Sequence, residues 1–172
     1  LEEVACPVVE AGPGFTRLRA VRERPPGGGP LLAVCAGATE LAARGHAGAV
    51  LVVACDLPFV TQATLAALAC HPGEQSLVPL VGGRWQPLCA RWSAADLALA
   101  HNLAEAGARS MRALVEQTAV TAFGPGQWPP TVHERHFADV DTPEDASVHG
   151  LVPRAAAPVG GPVRGSDGAV AP

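Results

Sequence analysis

The sequence predicts a three-layer α/β domain with a mostly parallel sheet and one hairpin, and three observations carry that reading. Short runs of aliphatic and β-branched residues alternate along the chain with Ala/Leu-rich helical segments. One run, Ala49-Val50-Leu51-Val52-Val53-Ala54-Cys55, is apolar throughout, as in a strand buried on both faces at the centre of a parallel sheet. That run ends in Asp56-Leu57-Pro58, where the proline holds Leu57 extended and fixes the turn that follows.

The elements follow in order. Leu18 to Val21 forms a short strand, and Pro25-Pro26-Gly27-Gly28-Gly29-Pro30 is a loop leading into a helix from Leu31 to about Arg44, with Gly45 as its C-cap. After the apolar strand, Thr61 caps a helix that runs to about Cys70. Ser76 to Val81 and Pro87 to Trp92 are strands flanking the turn Gly82-Gly83. Two helices come next, about Ala94 to Glu105 and Ser110 to Gln117, separated by Gly107. A strand near Val120 to Phe123 and an extended piece near Phe137 to Val140 lead to a last helix, with Thr142 as N-cap and Pro143 at its first position.

At 172 residues the chain is one domain in size, able to bury roughly 70% of its unfolded surface. Composition divides it into a domain over residues 1–149 and a tail over 150–172. The tail is mostly Ala, Gly, Pro and Val, has no periodicity, and is expected to be disordered because it cannot offset chain entropy by burial.

Charge excludes several functions. A net charge of -4 leaves no basic stripe for phosphate backbones, so nucleic acid is not an expected partner. All twelve basic residues are arginine, which removes a Walker-type lysine, a Schiff-base lysine and a Ser-Lys pair from consideration. The cysteines, Cys6, Cys35, Cys55, Cys70 and Cys89, are odd in number and form no Cys-x-x-Cys pair, which fits buried thiols in a reducing compartment. No apolar run approaches the roughly 18 residues of a membrane span and no signal peptide opens the chain, so a soluble cytoplasmic protein without a membrane partner is expected.

Four groups of residues could carry chemistry. Asp56 emerges where ligands of open α/β sheets sit and could hold Mg2+ together with water and substrate phosphates, or simply precede and cap a helix. The Gly27 to Pro30 loop could bring amides to a phosphate or to the edge of a base, or serve as a connector. Asp139 and Asp141 share one face of an extended segment and could form an acidic wall, or belong to the cap of the last helix. Arg109, Ser110 and Arg112 form a basic and polar cluster suited to phosphate, or a solvated helix start. His133 and His136 stand three apart without a third metal ligand nearby.

The order of these motifs resembles the molybdenum cofactor guanylyltransferase family. The resemblance rests on Gly27-Gly28-Gly29-Pro30-Leu31, then Leu51 to Phe59 with its Cys55-Asp56-Leu57-Pro58-Phe59 element, then Gln86-Pro87-Leu88-Cys89-Ala90, Arg109 to Leu114, and Asp139-Val140-Asp141-Thr142-Pro143-Glu144-Asp145. It spans about residues 17 to 146. It implies a Rossmann-like nucleotidyltransferase fold of the nucleotide-diphospho-sugar transferase type. The implied activity is transfer of GMP from GTP to molybdopterin, with Mg2+ as cofactor and release of pyrophosphate. Asp56 would then be the metal ligand and catalytic carboxylate. Gly28, Gly29, Pro30 and Leu31 would border the nucleotide, and Gln86, Arg109, Asp139 and Asp141 would lie on the pterin side. Molybdoenzyme apoproteins or their chaperones are the further partners implied.

The sequence also departs from that pattern. The family opens with a strand and a Gly-Gly-x-Ser-x-Arg-Met-Gly-x-Asp-Lys loop, which this chain is expected to lack, since before Leu18 it offers only Gly12-Pro13-Gly14 and no lysine follows. Arg24 stands where the family carries an acidic residue, and Ala33 where it carries a glycine. Impaired transfer is therefore expected of the chain as it stands. The alternatives are a non-catalytic binding module of the same fold and a cytidylyltransferase using CTP.

Overall fold

The computed structural model describes residues 1–148, 150 and 151, so the expected tail lies, from residue 152 on, outside the described residues. Two compact units are present, Leu1–Asp139 and one that begins at Val140. The first contains β1 (Val9–Ala11), β2 (Arg19–Val21), α1 (Pro30–Ala43), β3 (Val50–Val53), α2 (Gln62–Ala69), β4 (Leu77–Val81), β5 (Arg84–Trp85), β6 (Cys89–Trp92), α3 (Ala94–Glu105), α4 (Met111–Gln117) and β7 (Thr121–Phe123). In the second, α5 (Pro143–Val148) is capped as the sequence predicts: Thr142 Oγ1 accepts from the Asp145 amide at 3.1 Å, and the Asp145 carboxylate accepts in return from the Thr142 amide at 2.9 Å.

The larger sheet runs β3-β6-β4, with β5 and β7 also paired to β4. Both β3 and β4 are antiparallel to β6, and β7 is parallel to β4, so β3, β4 and β7 point the same way and their carboxyl ends share one edge. The hairpin expected around Gly82-Gly83 is present: both glycines have positive φ, 54° and 78°, the backbone that a tight two-residue turn demands. The strand it leads into is β5, and the one expected from Pro87 begins at Cys89 as β6, which lies between β3 and β4.

Two apolar clusters lie on the two faces of this sheet, because successive residues of a strand point to opposite sides. Val78, Ala90 and Trp92 pack with Leu31, Leu97, Met111 and Leu114 from α1, α3 and α4. Leu77 and Cys89 pack with Leu57, Leu65, Leu68, Phe123 and Phe137. Burial pushes the Cys89 thiol up to about 12, as befits an inert core residue.

Three sequence expectations need correction. β3 is not the doubly covered centre of a parallel sheet: among the described residues its one strand partner is β6, antiparallel, and Val50 to Val53 are only half-buried. A strand exists ahead of Leu18, since β1 pairs in parallel with β2 through Val9 with Arg19 and Ala11 with Val21. Phe137, expected to open an extended piece to Val140, instead closes a 3-10 turn over Glu134–Phe137; Ala138 beyond it is extended but 138–140 form no strand.

Candidate functional site

Asp56 is carried to the shared carboxyl edge by β3. Val53 pairs with Cys89 and the Ala54 amide donates to the Leu88 carbonyl at 2.7 Å, so pairing persists to the last residue before Cys55. Leu57 then turns into the core while Asp56 remains half-exposed. Among the described residues its carboxylate enters no hydrogen bond or ion pair, and no group of three His, Cys, Asp or Glu side chains could hold a metal. One free carboxylate is nonetheless a donor set that fits Mg2+, which takes one or two carboxylates and fills its octahedron with water and phosphate oxygens.

The turn holding Gln86 lies beside this strand end. The Gln86 amide donates to Pro79 at 2.9 Å and its carbonyl accepts from Cys89 at 3.1 Å, which places Gln86-Pro87-Leu88 directly ahead of the strand that pairs with β3. Gln86 and Asp56 thus come to the same end of the sheet. Asp139 is exposed at the end of the first unit, whereas Asp141, also exposed, belongs to the second.

The glycine loop and Arg109 also meet, but through the backbone. Gly29 has φ of 99° and precedes Pro30, which has no N–H to offer. The next three amides are all engaged internally: Leu31 donates to the Arg109 carbonyl at 3.1 Å, and Leu32 and Ala33 donate to the Gly29 carbonyl at 3.1 and 3.3 Å. Gly27 donates to Glu23 Oε1 at 2.8 Å and Gly28 to Pro25 at 3.1 Å. The Arg109 guanidinium turns to the end of α3, donating to the Ala104 and Ala108 carbonyls at 2.9 and 2.7 Å. Arg112 is held by Glu116 at 2.6 Å.

A groove of about 380 Å3 runs along β3 and ends at Asp56. Val9 of β1 forms one wall, Val50 and Val52 of β3 the other, and Ala33 and Gly37 of α1 the floor. Among the described residues no arginine lines it. An aliphatic cleft with one carboxylate at its mouth suits an apolar or aromatic group far better than a triphosphate.

His133 and His136 do not form a metal pair. The His136 ring is buried and its Nδ1 lies 2.7 Å from the Thr64 hydroxyl. Sequence reasoning missed Glu10, whose carboxylate accepts from the amides of Gly14, Phe15 and Thr16 and from the Thr16 hydroxyl at 2.6 to 2.8 Å. The Thr16 hydroxyl, followed by the Phe15 and Thr16 amides, holds that carboxyl down at about 2. The only sequence signal for it is the run Gly12-Pro13-Gly14 just downstream.

A three-layer α/β domain that delivers a free carboxylate to the carboxyl edge of its sheet, beside a glycine-led helix, has the architecture of the Rossmann-like nucleotidyltransferases. The chain belongs to the MobA-like NTP transferase domain family, which it matches over residues 5–121. Its fold is that of the molybdopterin-guanine dinucleotide biosynthesis protein A of Archaeoglobus fulgidus, with a TM-score of 0.63 and 21% identity over 77% of this chain and 67% of that one. It is similar also to the protein Aq1419 of Aquifex aeolicus VF5, with a TM-score of 0.59 and 16% identity over 78% and 69% of the two chains. No curated protein sequence matches it. Among the described residues no helix is long and apolar enough to cross a membrane.

Proposed function

We propose that this nucleotidyltransferase domain transfers GMP from GTP to the terminal phosphate of molybdopterin in the cytoplasm, with release of pyrophosphate. The observation that carries the reading is the unpaired Asp56 carboxylate at the carboxyl edge of the sheet in a chain of this family. Asp56 would hold Mg2+, which when bound neutralises phosphate charge and orients the attack of one phosphate on another. Gly28, Gly29, Pro30 and Leu31 would shape the nucleotide side, and Gln86, Arg109 and Asp139 the pterin side. Catalysis would then come from positioning and charge neutralisation, with no protein nucleophile. Molybdoenzyme apoproteins or their chaperones would receive the product.

A second reading, a binding module that does not turn over, is favoured by the internally engaged amides at the start of α1 and by a groove whose described lining is aliphatic. Incubating the full chain with Mg2+, molybdopterin and either GTP or CTP, and following pyrophosphate, separates the readings. Release with GTP that disappears in Asp56→Ala supports the proposal, and release with CTP alone replaces guanylyl by cytidylyl transfer. No release, with retained pterin binding, favours the binding module.

A further inference from the structure

A segment far along the chain closes on the loop that follows Asp56. Residues 57–61 connect Asp56 to α2, and the 3-10 turn Glu134–Phe137 packs over them: Phe137 and Leu57 share one apolar cluster, and the Arg135 guanidinium carbon lies 4.9 Å from the Phe59 ring centroid.

The hydrogen bonds between these segments have a determined direction. The His133 amide donates to His136 Nδ1 at 3.3 Å, so that nitrogen carries a lone pair and the ring proton sits on Nε2. The Thr64 hydroxyl, 2.7 Å from the same nitrogen, must donate its one proton there. The 2.9 Å bond between Thr61 Oγ1 and Thr64 Oγ1 is then donated by Thr61. Thr61 Oγ1 in turn accepts from the Thr64 amide at 3.2 Å, the cap that starts α2. A chain of donors therefore runs from Thr61 through Thr64 to a neutral His136.

We infer that His136 is a positioning residue: as its Nε2–H tautomer it locks Thr64 and Thr61, and with Arg135 on Phe59 it fixes the loop that presents Asp56. A proton on Nδ1 would point at the His133 amide hydrogen and remove that bond, and the Thr64 hydroxyl would have to turn round and accept, reversing the chain. Burial, and then the charges of His133 and Arg135, push the His136 pKa below 6.5, which keeps the ring neutral. From α2 and its cap, the uncharged hydroxyls of Thr64 and Thr61 meet the ring side of this set.

The inference rests on the assignment of Asp56 as a metal ligand, and its test separates the two. Amide exchange is measured on the full chain as wild type, His136→Phe, His136→Asn and Thr64→Val. His136→Phe and Thr64→Val are expected to raise exchange at Val60 and Thr64 by about tenfold at neutral pH, because the loop opens locally. His136→Asn, whose side-chain oxygen can still accept from Thr64, is expected to keep wild-type protection at neutral pH and to lack the loss of protection expected of the wild type once His136 protonates, at a pH below 6.5. Unchanged exchange in both His136→Phe and Thr64→Val overturns the inference. Mn2+ titration in the presence of GTP, read by water proton relaxation, is the second measurement. Affinity lost in Asp56→Ala but unchanged in His136→Phe overturns the positioning of Asp56. Affinity identical in wild type and Asp56→Ala removes Asp56 as metal ligand, and the hold of His136 on the loop then stands or falls on the exchange data alone.

Discussion

The carbonyl oxygen of Arg109 occupies the space a side chain at Gly29 would need: a Cβ there would stand 2.7 Å from that oxygen and 3.2 Å from the Arg109 Cβ. Gly29 also has φ of 99°, a backbone that L side chains rarely adopt. Gly29→Ala is therefore expected to cost about 2–4 kcal/mol, the sum of left-handed strain and overpacking. Urea unfolding measures it. Gly45→Ala, at positive φ with open space around it, isolates the strain alone and should cost about 1–2 kcal/mol.

That contact marks where the sequence stops being legible. Helix starts were readable because caps are local: Thr61 and Ser93 each accept the amide three residues on. Asp56 was readable because an apolar strand ended on it. The meeting of Gly29 with Arg109 was not, since it is made by a carbonyl that any residue at 109 would supply. For the same reason β1 was missed: three residues including a glutamate carry little periodicity, and their pairing with β2 is a parallel one with no hairpin signal. The interior placement of β3 failed because an apolar run reports covered faces and is silent about whether both edges are paired.

Arg91 is a buried charge that organises a loop. It lies in register with Leu51 on one side and Leu77 on the other. Its guanidinium donates to the carbonyls of Ala69, His71, Gly73 and Gln75, with Gly73 at 2.9 Å and Gln75 at 3.1 Å, while Nε has no partner. Arg91→Met leaves those carbonyls without their charged donor, and a loss of about 3 kcal/mol is expected. Arg91→Lys should recover little, because one ammonium cannot reproduce the planar fork. Thermal melts of the two variants decide the matter.

Glu10 predicts a loss of order in acid. Its folded pKa of about 2 lies below the ordinary 4.5, so the carboxylate contributes stability that is fully present above 4.5 and disappears as pH falls toward 2. The first structure to respond should be the loop it holds, residues 14–16. Amide shifts of Gly14, Phe15 and Thr16 are expected to move together with a midpoint near 2, and Glu10→Gln should remove that transition while leaving the fold intact. A midpoint near 4.5 would mean the carboxylate is not held as described.

The open edge of β3 gives a residue-by-residue pattern. In an antiparallel pair, amides alternate between facing the partner and facing away. The Ala54 amide bonds to Leu88, and the register joins Val52 to Ala90 and Val50 to Trp92, so the amides of Val50, Val52 and Ala54 face β6. Those of Leu51 and Val53 then face the groove, where the described residues offer them no strand. Leu51 and Val53 should exchange roughly a hundredfold faster than Val52, because edge amides open without global unfolding. Equal protection along Val50 to Val53 would mean that this edge is paired in solution, by another chain or by a further segment of polypeptide. Dilution separates those cases: protection that falls with protein concentration belongs to a partner chain, and protection that does not belongs to the same one.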